Sequence, residues 1–251
     1  AEQPGSMNVH SPVAGRILAT THADSARRTD VLAVQIKPAL DQVELPGPSP
    51  AEPRIRGQAG LPDVASPSLD ALIVAAEQAG LTDFQPHAHS LADILRDAGR
   101  RGVRHVIVNM LPGEPIPHVA AVNLDHDAAT LTRASQWVGQ ALNARRIWLA
   151  IDRENRRTLT HMRTATRKTP VRIADLANKY PQHSPVLLAA TITGRNTPPG
   201  CTTLDVGVLV LEWEALLGLS AAIEFDGYPA SPKTHRIVSI SGPAVAQPGC
   251  Y

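Results

Sequence analysis

VIVNMLPGEP, residues 106–115, has the pattern of a buried strand that ends in a polar loop. Three β-branched residues, Val106, Ile107 and Val108, lead into Asn109. Two prolines, one glycine and a single carboxylate, Glu114, then follow. A short apolar run of this kind fits a parallel strand covered on both faces, and its carboxyl end is where open α/β sheets keep their ligands.

The flanking segments supply the helices that such a strand needs. Upstream, Ser68 is placed to cap a helix with the apolar face Leu69, Leu72, Ile73 and Ala76, ending at Gly80. Ser90 with Asp93 resembles a capping box that opens a second helix, which stops in GRRG near residue 100. Downstream, the spacing predicts a helix from about Asp125 to Asn143, then strand IWLAID (147–152) and a helix near 154–166. Strand VRIADL (171–176), a helix near 185–193 and strand VGVLVLEW (206–213) follow, with RIVSIS (236–241) as a last strand. Strands alternating with helices predict an α/β fold, a Rossmann-like and mostly parallel sheet covered on both faces.

The amino-terminal part reads differently. Residues 1–45 have turn chemistry at Pro4-Gly5 and Ala14-Gly15 and a clean strand at Val31 to Ile36, which predicts a small β domain. Residues 46–67 are rich in proline and glycine and are expected to be a linker. The Rossmann-like domain is then expected over 68–234, and residues 235–251 as the start of a further β domain. The chain begins at Ala1 and stops just after a Pro-Gly turn, so it is expected to be part of a longer protein.

Composition narrows the function. With 43% hydrophobic and 19% charged residues the chain can bury a sizeable core. A net charge of +1 lacks the basic excess of a dedicated nucleic-acid binder. The two cysteines, Cys201 and Cys250, are too few for a four-cysteine iron–sulfur site within this chain. No apolar run approaches the length of a membrane span, so any membrane association is expected through partners.

Five stretches carry a family resemblance when taken in order: HSPVAGRI (10–17), NKYP (178–181), TGRNTPPG (193–200), LDVGVLV (204–210) and RIVSISGPAVAQPGCY (236–251). Together they resemble the C subunit of the Rnf electron-transport complex. More distantly they resemble the A subunit of the sodium-pumping NADH:quinone reductase and the flavin-bearing subunit of respiratory complex I. The resemblance implies a lipoyl-like amino-terminal β domain, a β-grasp-type domain beginning at residue 235, and an α/β domain that holds FMN. In the family, NADH reduces the flavin, which passes electrons singly to iron–sulfur centres. It also implies a cytoplasmic chain, peripheral to the membrane within a complex of several subunits.

The family's ligand elements are altered here. The loop expected to be glycine-rich reads AGLTDFQPHAHS (79–90); Gly80 is kept, but Pro86 lacks an amide donor and Asp83 adds negative charge. Asn109 and Glu114 match the family's strand-end pattern. After Tyr180-Pro181 the chain reads QHSPV, without the family's Gly-Gly, carboxylate and lysine. Gly80, Asn109 and Glu114 are therefore expected to be the remnant of a flavin site with weakened or lost FMN and NADH binding. Two alternatives stand beside this: an active FMN-dependent NADH:acceptor oxidoreductase subunit with a remodelled loop, and a small-molecule or metal-binding module. For the last, His87, His89 and His118, with Glu114, would have to converge on one ion; the plainer reading is solvated loop histidines. The basic segment 153–172 reads either as a wet helix face or as a dock for an acidic partner or membrane surface. Trp213 with Leu211, Leu216 and Leu217 reads as core packing or a docking surface.

Overall fold

The structure, a computed structural model, describes residues 15–24, 30–38, 66–83, 89–113, 119–177, 179–224, 239–240 and 249–250. The chain divides into two compact units, Val9–Ala51 and the remainder. The smaller holds an antiparallel pair, β1 (Gly15–Ala23) and β2 (Val31–Pro38), with an irregularity in register between Ile17 and Ala19.

The larger unit is built on a four-stranded, wholly parallel sheet in the order β5-β4-β3-β6. These strands are β3 (His105–Asn109), β4 (Arg146–Asp152), β5 (Val171–Leu176) and β6 (Val208–Glu212). The run Val106-Ile107-Val108 is central and fully buried, as a strand packed on both faces must be. Residues 239–240 and 249–250 form a separate short antiparallel pair, β7 and β8.

The two faces of the sheet are covered unequally. Helices α1 (Leu69–Gln78), α2 (Leu91–Arg101), α3 (Val119–Ala141), α4 (Arg156–Thr166) and α6 (Trp213–Glu224) share one core with Val106, Val108, Leu149 and Leu211. The other face packs Ile107, Ala150 and Val208 against Leu188 and Ala189 of α5 (Pro185–Thr193).

Local chemistry explains most of these elements. Ser68 caps α1 by accepting from the Ala71 N–H at 3.2 Å, and Ser90 caps α2 by accepting from the Asp93 N–H at 3.4 Å. Gly102, at φ +71°, ends α2 in the left-handed region. Buried Thr132 and Ser135 of α3 return their hydroxyls to the carbonyls of Ala128 and Leu131, so neither is an unpaired polar group in the core.

Two elements differ from the sequence reading. Helix α3 starts at Val119, before the expected Asp125, because no glycine or proline follows Pro117 until Gly139. The apolar run at 206–213 is no continuous strand: Thr203–Val206 is a 3-10 turn, β6 covers five residues, and Trp213 already opens α6. Trp213, Leu216 and Leu219 of α6 are core residues, which resolves Trp213 as packing.

At Gly139 α3 lies close against the sheet, since a Cβ there would overlap the Cγ1 and Cδ1 of Ile147. Gly139→Ala is expected to cost roughly 1–3 kcal/mol in chemical denaturation through this overlap. Ile147→Ala removes both clashing carbons, so the double variant should lose less than the two single losses combined. Strict additivity would rule out the contact as the cause.

Candidate functional site at the strand ends

Strand order locates the crevice. The chain runs β3, β4, β5 in one direction, then crosses to the far side of β3 to lay down β6. The reversal falls between β3 and β6, and at such a switch point the crevice opens outside the carboxyl ends of the two strands. Those ends are Asn109 and Glu212, which face each other in register.

Asn109 is tied on three sides. Its Nδ2 donates to Glu212 Oε1 at 2.9 Å and to the backbone carbonyl of His183 at 3.2 Å, while its Oδ1 accepts from the Leu111 N–H at 3.2 Å. Both amide hydrogens are committed, and the side chain is buried. The His183 ring lies against Gly113, where an added Cβ would stand 3.4 Å from its Cδ2. Three segments distant in sequence thus meet here.

The neighbouring loop is stapled at its neck. Asp83 N donates to His89 O at 3.0 Å, and Leu91 N donates to Leu81 O at 3.0 Å. The buried Asp83 carboxylate accepts from the His89 N–H at 3.1 Å and lies 3.1 Å from His89 Nδ1. Gly80 keeps a positive φ of 58° and turns the chain out of α1 into this neck. The structure therefore places Gly80, Asn109 and His89; Glu114, His87 and His118 lie outside the described residues. His89 serves Asp83, and among the described residues no group of three metal-ligating side chains forms.

Asp83, His183 and Glu212 join the site although sequence reasoning gave none of them this role. The sequence marks Asp83 only as a negative charge in its loop and His183 only as part of QHSPV. A further carboxylate, Glu214 in the first turn of α6, is half-buried; burial raises its pKa from 4.5 to about 7, partly offset by its own backbone N–H.

FMN needs open backbone amides for its phosphate and room for its ring. Among the described residues at this edge, Asn109 makes its side-chain hydrogen bonds within the protein, the Asp83 carboxylate lies in the loop neck, and the His183 ring stands beside Gly113.

Comparison with known proteins gives the relationship. The chain is 27% identical over 190 residues to the C subunit of the ion-translocating oxidoreductase complex of Erwinia tasmaniensis, covering 75% of this chain and 23% of that protein. It is 26% identical over 252 residues to the C subunit of the ion-translocating oxidoreductase complex of Rhodobacter capsulatus, covering 99% and 46%. Identity is 29% over 113 residues to the C subunit of the proton-translocating ferredoxin:NAD(+) oxidoreductase complex of Clostridium ljungdahlii, covering 45% and 24%. The chain thus spans between about a quarter and a half of these relatives, and they bear out the resemblance read from the motifs. A chain of an NAD+-reducing [NiFe]-hydrogenase shares the fold, with a TM-score of 0.61 at 21% identity, covering 73% of this chain and 36% of its own. The family model described as the Nuo51 FMN-binding domain matches residues 88–220, more than half of the chain. With its parallel sheet and these relatives, this chain belongs to the Nuo51 FMN-binding domain family.

Proposed function

We propose that the chain is part of a subunit of a membrane-associated electron-transfer complex, in which FMN and NADH no longer bind in the family's usual way and the domain serves as a scaffold for partner subunits. The observation that carries this reading is the Asn109 clamp, which ties β3 to β6 and to His183 across the switch-point crevice. Each amide contact with a flavin phosphate that is lost costs roughly 1 kcal/mol net, and several lost contacts lower affinity by orders of magnitude. The relatives are named as subunits of oxidoreductase complexes, which supports partner subunits for this chain. Among the described residues no helix is long and apolar enough to cross a membrane, in keeping with attachment through those partners. We place the chain on the cytoplasmic side, peripheral to the membrane.

A second reading has its own support in the family match: an FMN-dependent NADH:acceptor oxidoreductase subunit that holds the flavin in a changed pose. The visible spectrum separates the two. The chain purified by gel filtration is expected to be colourless and to leave the absorption of added FMN unchanged. A flavin band that co-elutes with the protein would overturn the scaffold reading.

A further inference from the structure

Two strands away from the clamp, a depression of about 460 Å³ lies beside the amino terminus of α4. Arg153, Arg156 and Arg163 line it with Glu154 and Asp175, and the buried Leu159 lies among them. Asp175 fixes two of the three arginines: Arg153 Nη2 donates to its backbone carbonyl and Arg163 Nη2 to its carboxylate, each at 3.2 Å. Arg156 is exposed and pairs with no described carboxylate. We propose that this depression docks an acidic polypeptide segment, whose carboxylates are received by the three guanidinium groups.

Charge distribution is the first argument. Residues 153–172 hold seven of the chain's 24 Lys and Arg but one of its 23 Asp and Glu, so the other 17 bases face 22 acids. A chain of net charge +1 has concentrated its positive charge on one helix and its flanks. Six of the seven are arginine, whose planar fork suits carboxylates.

The second argument is a broken local rule. The amino-terminal end of a helix favours acidic side chains, yet α4 opens on Arg156 and its first turn holds no acid. Side chains that oppose their own helix dipole are expected where a bound anion offsets the cost, and violations of this kind gather at functional positions.

Geometry selects the occupant. The exposed side chains of α4 are Arg156, Arg157, Thr160, His161, Arg163 and Thr164, with no apolar group to insert into a bilayer. Glu154 and Asp175 line the depression together with the arginines, which suits a polypeptide offering both carboxylates and amide donors better than a compact, multiply charged phosphate. The proposal is independent of the flavin reading, because it rests on α4 and β5 rather than on the β3/β6 crevice.

The test is fluorescence anisotropy of a labelled hexaglutamate peptide with the whole chain at low salt, with backbone amide NMR to map the contact. Shifts are expected at 153–163 and 175. Arg156→Glu should raise Kd about tenfold, whereas Arg145→Glu, the same charge change at the opposite end of the sheet, should alter it less than about twofold. Arg156→Gln serves as the milder variant, and matching thermal melts show that each variant is folded. Equal losses at the two positions would reduce the effect to net charge and overturn the proposal. So would inorganic phosphate or phosphatidylglycerol vesicles binding with the same dependence on Arg156, or sedimentation showing that the depression takes up a second copy of the chain.

Discussion

Asn109→Ala is expected to lower the stability of the larger unit by roughly 3 kcal/mol, because it removes three hydrogen bonds at a largely buried position. The Leu111 N–H bond is buried, and the partners at Glu212 and His183 are partly so, which lets water compensate for only some of the loss. For a chain of this size each kcal/mol shifts Tm by about 2–4 °C, so a fall of roughly 6–12 °C in calorimetry is expected. Asn109→Asp sharpens the test. It keeps the shape and the acceptor for Leu111 but loses the donor, and sets a second carboxylate against Glu212, 2.9 Å from the replaced atom. Its destabilisation should therefore grow more steeply than that of Asn109→Ala as pH rises through the carboxylate range. If neither variant moves Tm by more than a degree or so, the clamp holds nothing together, and the proposed scaffold reading loses its support.

The second large effect comes from Glu214. Its carboxyl ionises near 4.5 when exposed and at about 7 in the fold, the rise being due to burial. Between those values the native state keeps a proton that the unfolded chain has released. Stability from this group is therefore full below pH 4.5 and declines as pH rises towards 7, levelling off above. A shift of this size corresponds to roughly 3 kcal/mol across the window. Glu214→Gln keeps the size and cannot ionise, so it should stabilise the protein at pH 8, change little at pH 4.5, and flatten the dependence of Tm on pH between them. A wild-type profile already flat from pH 5 to 7.5 would remove Glu214 as its source.

Much of the scaffold was legible from sequence because local signals agreed with the fold. Ser68 and Ser90 cap the helices they announce, Gly102 ends one, and Val171–Leu176 is a strand with the expected bounds. Helix α6 escaped because the apolar run of β6 passes into Trp213 without a turn residue, so strand and helix cannot be told apart by hydropathy. Its Gly218 makes room for Leu81, whose Cδ2 would lie 3.0 Å from a Cβ there. The site was only partly legible for another reason. Asn109 was visible as a strand end, but its partners lie 74 and 103 residues away, and no local pattern encodes a hydrogen bond across such a distance.

The position of β3 in the finished sheet has a consequence for biosynthesis. Its hydrogen-bonding edge towards β6 is satisfied only when His105 to Asn109 meet Val208 to Glu212, about a hundred residues later in the chain. A nascent polypeptide therefore carries Val106, Ile107 and Val108 as an open, sticky rim through most of translation. Ribosome-bound intermediates stopped before residue 208 should recruit chaperones and aggregate when released, whereas those that have exposed residue 224 from the exit tunnel should not.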